Sequence, residues 1–465
     1  MKFKLHTHSK KILADTLTPV SIYLRLRDKY PHSILLESSD YHANENAFSY
    51  ICFQPIASFK LENNQIQTRF PDGNFELKNL ESADNLVEKL REFADCFEAS
   101  SNTEKFIQNG LFGYMNYDSV RYFEDISIDK KEGNLGIPDV YYAVYQNIIA
   151  INHFNNEAHL ISQSLTGEDS IDEILALLKI KSFAEYNFQR GGIPTTNISD
   201  QGYIDLVHKC KEHCQRGDVF QIVPSKRFVQ KFSGDEFNVY RTLRSINPSP
   251  YLFYFDYGNF KIFGSSPEAQ LVIKDGMAEI HPIAGTVRRT GNDEEDLQQA
   301  KRLSNDAKEK SEHVMLVDLA RNDLSRNAEQ VKVETFREVQ YFSHVIHLVS
   351  KVTGKIRSGK ESLQVVADTF PAGTLTGAPK YKAMQLLNSY ENINREFYGG
   401  AIGFMDFEGN FNHAIIIRSF LSKDYELHYQ AGAGVVSESI PENELQEVYN
   451  KLGALNKALE LAELI

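Results

Sequence analysis

The 465-residue sequence is poor in cysteine, has no surplus of positive charge and holds no long apolar run. Of its four cysteines, Cys52, Cys96, Cys210 and Cys214, only the last two are close, one helical turn apart. Together with Tyr203 and Val207 they follow helical periodicity. They therefore read as small hydrophobes on a buried face rather than a metal or redox pair, and no disulfide framework is implied. The formal net charge of −13 argues against nucleic acid as the main partner, because phosphate binding needs a basic surface. An acidic chain that handles a small anion must instead build a local positive or metal site. No apolar run approaches the roughly 20 residues of a membrane span. The N-terminal "MKFKLHTHSKKILAD" lacks an apolar signal core, so the expected location is the cytoplasm, with no membrane partner.

What is present is ordinary for a globular enzyme: 42% hydrophobic and 24% charged residues. The length suggests two units. The first, residues 1–187, mixes short strand-like runs with amphipathic helix. The stretch "FQRGGIPTTNISDQGY" is the best linker candidate, and a second unit follows over 188–465. A helix is expected from about Asp200 to Arg216, stopped by Gly217. Beyond it the signals are antiparallel. "AQLVIKDGMAEIHPIAGT" reads as a hairpin about Asp275-Gly276, and "YGGAIGFMDFEGNFNHAIIIRSF" as another near Glu408-Gly409-Asn410. "YELHYQAGAG" supplies a third strand after a turn near Lys423-Asp424. Sequential strands joined by tight turns make a meander, which weighs against a dinucleotide-binding fold.

The glycines of "QAGAGVVSESIPENELQEV" fail the dinucleotide fingerprint, since Gly432 and Gly434 are followed by Ser437 in the third slot. They still allow backbone N–H groups to approach an anion closely. Hairpin register puts Tyr398 beside Arg418, and Arg418 beside Gln430 to Gly432. That arginine is a carboxylate ligand, or else one half of a structural Arg–Glu pair or a residue at an edge-strand position. The Asp275-Gly276 hairpin similarly places Glu268 next to the segment with Gly285 and Thr286. There it is a proton donor with a raised pKa or a solvated strand-end carboxylate. Glu444 and Glu447, and Glu309 and Glu312, are spaced to share helix faces. Such pairs are more often surface decoration than Mg²⁺ ligands, and spacing alone favours the former. His347 in "FSHVIHLVS" fits a hydrogen-bonded core residue better than a base. Lys380 in "TLTGAPK" is a weak anion-contact candidate at a helix start.

"NPSPYLFYF", "GSSPE", "HPIAGTVRR", "SEHVMLVDLARNDL", "FSHVIHLVS", "TLTGAPK", "YGGAIGF", "IIIRS" and "QAGAGVVSESIPENELQE" occur in that order over residues 247–448, and "ILLESSD" extends the pattern to the first part. Taken together they resemble the chorismate-utilising enzymes, most closely anthranilate synthase component I. The resemblance implies an α+β fold of packed antiparallel sheets flanked by helices. It implies a Mg²⁺ between Glu312 and Glu447, with Glu444 close by, holding the ring carboxylate of chorismate. Gly285 and Thr286 would contact the ring. Tyr398, Arg418 and the backbone of Gly432, Ala433 and Gly434 would hold the enolpyruvyl carboxylate. Glu268 would protonate the departing C4 hydroxyl while ammonia adds at C2, and His347 would assist ring positioning and the later loss of pyruvate. Ser38, with Asn247, Pro250, Tyr251 and Leu252, is similar to the family's tryptophan feedback site, which makes the first unit regulatory.

Where related isochorismate and salicylate synthases carry a water-activating lysine, this chain has Gln221. Where aminodeoxychorismate synthase component I often has a lysine, it has Ala284. The first disfavours water as the nucleophile, and the second favours anthranilate as product. No glutaminase motif of the G-x-C-x-G kind is present, so ammonia is expected free in solution or from a separate glutamine amidotransferase subunit (component II) in a heterotetramer. The alternatives are an aminodeoxychorismate synthase large subunit and a catalytically silent tryptophan-sensing or scaffold protein. The intact Glu268, Glu312, Arg418 and Glu447 oppose the latter.

Overall fold

The computed structural model describes residues 2–38, 47–81, 85–99, 104–341 and 345–465, and all that follows concerns these. Ser39, Asp40 and Phe342 to His344, parts of two quoted motifs, lie outside them, as does the side chain of Thr286.

The backbone of the fold is one long strand pair. Strand Phe48–Glu62 begins with six consecutive buried residues and then alternates, as a strand covered on both faces at one end must. It runs antiparallel to Val140–Asn152, from Phe48 opposite Asn152 to Leu61 opposite Val140, with a bulge at Pro55/Ala57 where Gln54 takes φ +57°. Two antiparallel arms leave this pair. One continues through Ile34–Glu37, Tyr251–Asp256, Phe260–Ser266, Ser419–Lys423, Glu426–Gly432, Ser225–Gly234 and Phe188–Thr196. The other continues through Leu111–Met115, Ala401–Met405, Phe411–Ile415, Ala269–Lys274, Met277–Ile280 and Val345–Ile356. Helices cover them. Val448, Leu452 and Leu455 of helix Pro441–Ala462 share a core with Val207 of helix Asp200–Arg216 and with Tyr240 and Leu243 of helix Phe237–Ile246. The architecture is α+β with antiparallel sheets, as expected.

Local punctuation behaves as its chemistry dictates. The hydroxyl of Ser199 accepts from the N–H of Gly202 at the start of helix Asp200–Arg216, and Gly217 ends that helix at φ +81°. Asp275 and Gly276 take φ +50° and +74° in their hairpin, and Asp424 and Tyr425 take +51° and +60° in theirs. Cys210 is buried on its helix and Cys214 half-buried; both are free thiols.

Two expectations differ from the structure. The Gly/Pro/Thr-rich stretch read as a linker contains strand Phe188–Thr196, an exposed edge strand pairing with Ser225–Gly234. Its Gly191 to Pro194 fall where the register shifts, so the turn-forming residues serve an irregular edge rather than a connection. Both arms also hydrogen-bond strands from before residue 188 to strands after it, at Ile34–Glu37 with Tyr251–Asp256 and at Leu111–Met115 with Ala401–Met405. Second, the three-strand meander is not continuous. Its middle strand breaks after Ile415 and resumes at Ser419, and Arg418 within the break takes φ +50°. Phe411–Ile415 belongs to one arm and Ser419–Lys423 to the other.

Where the second arm begins, Gly113 pairs with Gly403, flanked by Tyr142 and His413 in the same row. A Cβ on Gly403 would lie 2.1 Å from the carbonyl oxygen of Asn412, and one on Gly113 2.0 Å from that of Tyr141. The bare pair lets the Tyr142 hydroxyl reach His413 Nε2 across both strands, at 2.8 Å. Gly403→Val should therefore lower the unfolding free energy by about 3 kcal/mol, from overpacking plus one lost buried hydrogen bond. Urea denaturation checks this, and an unchanged midpoint would contradict the close packing of this row.

Candidate active site

The chain passes between the arms near Ser266 to Ala269, and passes back at Ile416 to Arg418. The two passages touch: Ile415 N–H donates to the Glu268 carbonyl (3.0 Å) and Ser265 N–H to the Arg418 carbonyl (3.1 Å). Two non-local crossings therefore carry a carboxyl and a guanidinium to one place. Glu268 is buried, and its Oε1 accepts from Thr374 Oγ1 at 3.2 Å. Burial raises its pKa to about 8, against smaller downward pulls from Thr374, Arg418 and Lys451. The acid is thus largely protonated at neutral pH. Arg418 is half-buried, and among the described residues its guanidinium makes neither a hydrogen bond nor an ion pair. Burial lowers its pKa, and nearby Glu268 acts in the opposite sense. Of the two readings left open for this arginine, the ligand-binding one has the free donors.

His347 pairs in register with Thr286, next to the bulge at Gly285. Its Nδ1 lies 3.2 Å from the Gly285 carbonyl oxygen. Burial, then Arg418, pushes its pKa down to about 4, so the ring is neutral, with Nδ1–H donating and Nε2 left as acceptor. Gly285 sits at φ +72°, and a Cβ there would come within 2.7 Å of Leu303 and 3.0 Å of Glu309 Oε2.

The glycine turn is the other wall. The phenol of Tyr398 is buried against the backbone N–H of Gly432, as the hairpin register implied. Gln221 Nε2 donates to Glu312 Oε1 at 2.9 Å. A Cβ on Gly434 would stand 2.4 Å from that amide nitrogen and 3.6 Å from that carboxylate oxygen, so glycine is required for the approach. Lys451 Nζ donates to the Gly432 carbonyl (2.8 Å) and pairs with Glu447 Oε1 (2.7 Å). Glu444 is buried one turn earlier on the same helix. Ala433 differs from expectation: its N–H is 3.3 Å from the Pro224 carbonyl and so is turned into the sheet, away from a ligand.

Among the described residues no three His, Cys, Asp or Glu side chains gather to enclose a metal ion. Glu312, pressed by the turn that leads into the helix of Glu444 and Glu447, nevertheless offers hard oxygen donors. Mg²⁺ commonly uses one or two carboxylates and completes its shell with water and substrate oxygens, so this donor set fits.

Lys380 is placed elsewhere than expected. Its Nζ donates to Asp323 Oδ2 (2.7 Å) and to the Thr369 carbonyl (2.8 Å) in a nearly buried pair, which leaves it committed to the protein. Sequence reasoning missed four groups that hold the site: Thr374, Lys451, and the ion pair of Arg395 with Glu391. Arg395 Nε and Nη2 bond both oxygens of Glu391 at 2.8 and 2.7 Å, and its guanidinium stacks over the rings of Tyr117 and Tyr398. An arginine four residues after a glutamate was the available signal, although here it spans a helix end and a loop.

The residues read as an effector site also converge. Leu252 pairs with Glu37, which carries Ser38 alongside Tyr251, and Pro250 and Asn247 precede them on the same connection. Glu37 beneath is fully buried and accepts from Tyr240 (2.7 Å) and Arg244 Nε (2.8 and 2.9 Å), a support not foreseen from sequence. Ser265, whose N–H bonds the Arg418 carbonyl, donates its hydroxyl to the Asn247 carbonyl.

Comparison with known proteins gives one consistent relationship. A family model described as chorismate binding enzyme matches residues 31–457. Anthranilate synthase component 1 of Aquifex aeolicus (strain VF5) is 37% identical, with 97% of this chain and 94% of that protein covered. The protein of the same name from Bacillus subtilis (strain 168) is 35% identical, over 97% and 91%. The crystal structure of anthranilate synthase component I from Streptococcus pneumoniae TIGR4 superimposes with a TM-score of 0.79 at 30% identity, covering 96% of this chain and 99% of that one. MenF, the menaquinone-specific isochorismate synthase of Escherichia coli, shares the fold, with a TM-score of 0.74 at 17% identity over 98% and 95%.

A carboxyl held near pKa 8 in the fold binds its proton more tightly there than in the unfolded chain. Its stabilisation is complete below the unfolded value, near pH 4.3, and is lost as pH rises towards 8, by up to about 1.4 kcal/mol per unit. Glu268→Gln removes that dependence. Urea midpoints from pH 5 to 9 should show the variant gaining on the unsubstituted chain as pH rises; parallel curves would show that Glu268 is not proton-loaded.

Proposed function

The chain belongs to the chorismate binding enzyme family, and from that premise we propose that it is the large subunit of anthranilate synthase. It converts chorismate and ammonia into anthranilate and pyruvate, in tryptophan biosynthesis. The observation that carries this reading is Gln221 at Glu312. A neutral amide there cannot deprotonate a water, whereas free ammonia needs no base to act as a nucleophile. The similarity to anthranilate synthase component 1 over nearly the whole length supports the same product.

Each group then has a task. Arg418, together with Tyr398 and the backbone of Gly432 and Gly434, takes the enolpyruvyl carboxylate of the dianionic substrate. Glu312 and Glu447 hold Mg²⁺, which when bound supplies positive charge to the ring carboxylate. Glu268, protonated at neutral pH, gives its proton to the C4 oxygen as that C–O bond breaks, and ammonia forms the C2–N bond. Neutral His347, oriented by Gly285, positions the ring and assists the later step in which pyruvate departs. Glutamine-derived ammonia comes from a separate amidotransferase subunit, component II, in a heterotetramer, because neither Cys210 nor Cys214 lies in a glutaminase motif. No helix among the described residues is long and apolar enough to cross a membrane, which accords with a cytoplasmic enzyme. The cluster of Ser38, Asn247, Pro250, Tyr251 and Leu252 binds L-tryptophan as feedback inhibitor.

Incubation with chorismate, Mg²⁺ and ammonium at mildly alkaline pH should yield fluorescent anthranilate and pyruvate. Glu312→Gln or Glu447→Gln should cut that turnover on the order of 100-fold without moving the urea midpoint. Aminodeoxychorismate as the sole product, or no chorismate consumption even with an amidotransferase subunit, would overturn the assignment. Near-normal turnover in either glutamine variant would remove that residue from the metal site.

Ser38→Phe should preserve turnover while relieving inhibition by L-tryptophan. The sequence contains no tryptophan, so the ligand's own fluorescence reports binding directly. Unchanged inhibition in the variant would sink the effector-site assignment.

A further inference from the structure

Glu268 has a second face. Behind it, between strand Ala269–Lys274 and helix Ala307–Ser325, is a cavity of about 30 Å³ that Glu268 shares with Gln270, Asp323, Thr369 and Thr374. That is room for one or two waters. The amide of Gln270 is buried. Its Nε2 donates to Thr369 Oγ1 at 3.3 Å, but its Oε1 has no partner among the described residues. A buried carbonyl oxygen left unsatisfied is costly, so the cavity calls for a small hydrogen-bond donor. At the far side is Asp323, 8% exposed, one of whose oxygens takes Lys380. Beyond it the half-exposed Arg326 pairs with Glu124, which marks the route to solvent.

We propose that this cavity is a water site through which Glu268 is reprotonated from solvent, with Gln270 anchoring the water and Asp323 as the outer station. The inference rests on the proposed reaction, in which Glu268 ends each turnover as a carboxylate in a buried place. In the donating step the C–O bond breaks, its electron pair stays on oxygen, and the Glu268 proton makes that oxygen water. In the return step a hydrogen of the cavity water passes to a Glu268 oxygen, and the water is refilled with a proton that solvent delivers through Asp323. The groups facing Glu268 are Arg418, Lys451 and Thr374, and those facing Asp323 are Lys380, Arg326 and Glu124. Burial raises the Asp323 pKa while Lys380 opposes the rise, which suits a carboxylate that accepts and releases a proton. Ammonia is the less fitting occupant. On this face it would meet a carboxylic acid, take its proton and lose the lone pair it needs for attack.

The relay also gives two motifs a purpose. Asp323 of "VDLARNDL" and Lys380 of "TLTGAPK" meet here, although neither belongs to the substrate-facing wall.

Gln270→Met keeps volume and removes the anchor. With the chain established as making anthranilate, kcat should fall about tenfold while KM for chorismate and for ammonium stay unchanged. The solvent deuterium isotope effect on kcat should rise as proton return becomes limiting. Asp323→Asn combined with Lys380→Met, which strands no charge, should do the same. A high-resolution crystal structure of the unsubstituted chain should show water bonded to Gln270 Oε1. Unchanged kcat and isotope effect in both variants, a dry cavity, or a raised KM for ammonium would each overturn the relay. Absence of anthranilate from the unsubstituted chain would count instead against the proposed function.

Discussion

The ion pair of Arg395 with Glu391 is the contact on which both walls of the site depend. Burying two charges is expensive unless their donors and acceptors find partners, and here every nitrogen of the guanidinium and both carboxylate oxygens are hydrogen-bonded. Besides Glu391, Arg395 bonds the carbonyls of Leu375 and Val223, each at 2.6 Å. Glu391 in turn accepts from Ser225 N–H (2.9 Å) and Oγ (2.6 Å). Leu375 follows Thr374, which contacts Glu268. Val223 is two residues from Gln221, which contacts Glu312. Ser225 pairs with Gly432. The acid, the carboxylate–amide pair and the glycine turn are therefore tied to a single buried salt bridge, under the ring of Tyr398. Removing one partner would leave the other charge stranded and release all three at once.

This arrangement explains how an acidic protein handles an acidic ligand. A net charge of −13 repels a dianion at a distance, so attraction must be local. Arg395 is neutralised by Glu391, and Lys380 by Asp323, but Arg418 has no ion-pair partner among the described residues and Glu268 beside it carries a proton. A positive site surrounded by neutral groups results. Protonation of Glu268 is what keeps Arg418 free: as a carboxylate it would compete with the substrate for the guanidinium. The same burial that makes Glu268 a proton donor therefore preserves the anion site.

Local chemistry was legible in the sequence, and long-range geometry was not. The helix from Asp200 to Gly217 and the Asp275-Gly276 hairpin both follow from short patterns, because caps, turns and period-two alternation act within a few residues. The break at Ile416 to Arg418 does not, since it arises only where one strand must serve two arms. The edge strand Phe188–Thr196 was hidden by turn-forming residues, whose preference yielded to pairing with strand Ser225–Gly234, as in Phe188 opposite Gly234 and Thr196 opposite Phe228. Spacing favoured Glu444 and Glu447 as surface charges; Glu444 is buried, because the helix bearing it starts under the glycine turn. Lys380 looked free to bind an anion only because Asp323, 57 residues earlier, is invisible to local reading.

The two crossings between arms also define how distant residues could act on the site. Arg418 takes a left-handed backbone conformation, which a β-sheet does not impose and its neighbours must hold. Its carbonyl is held by the N–H of Ser265, whose hydroxyl bonds Asn247 in the cluster near Ser38. A ligand there that favoured a different position of Asn247 would act, through one serine, on the carbonyl that keeps Arg418 in place. Such a ligand needs no contact with the substrate wall. It needs only to bind the two positions of that connection unequally, since coupling equals the difference in its affinity for them. The strained arginine is thus the point at which a ligand bound near Ser38 would reach the site, one hydrogen bond beyond Ser265.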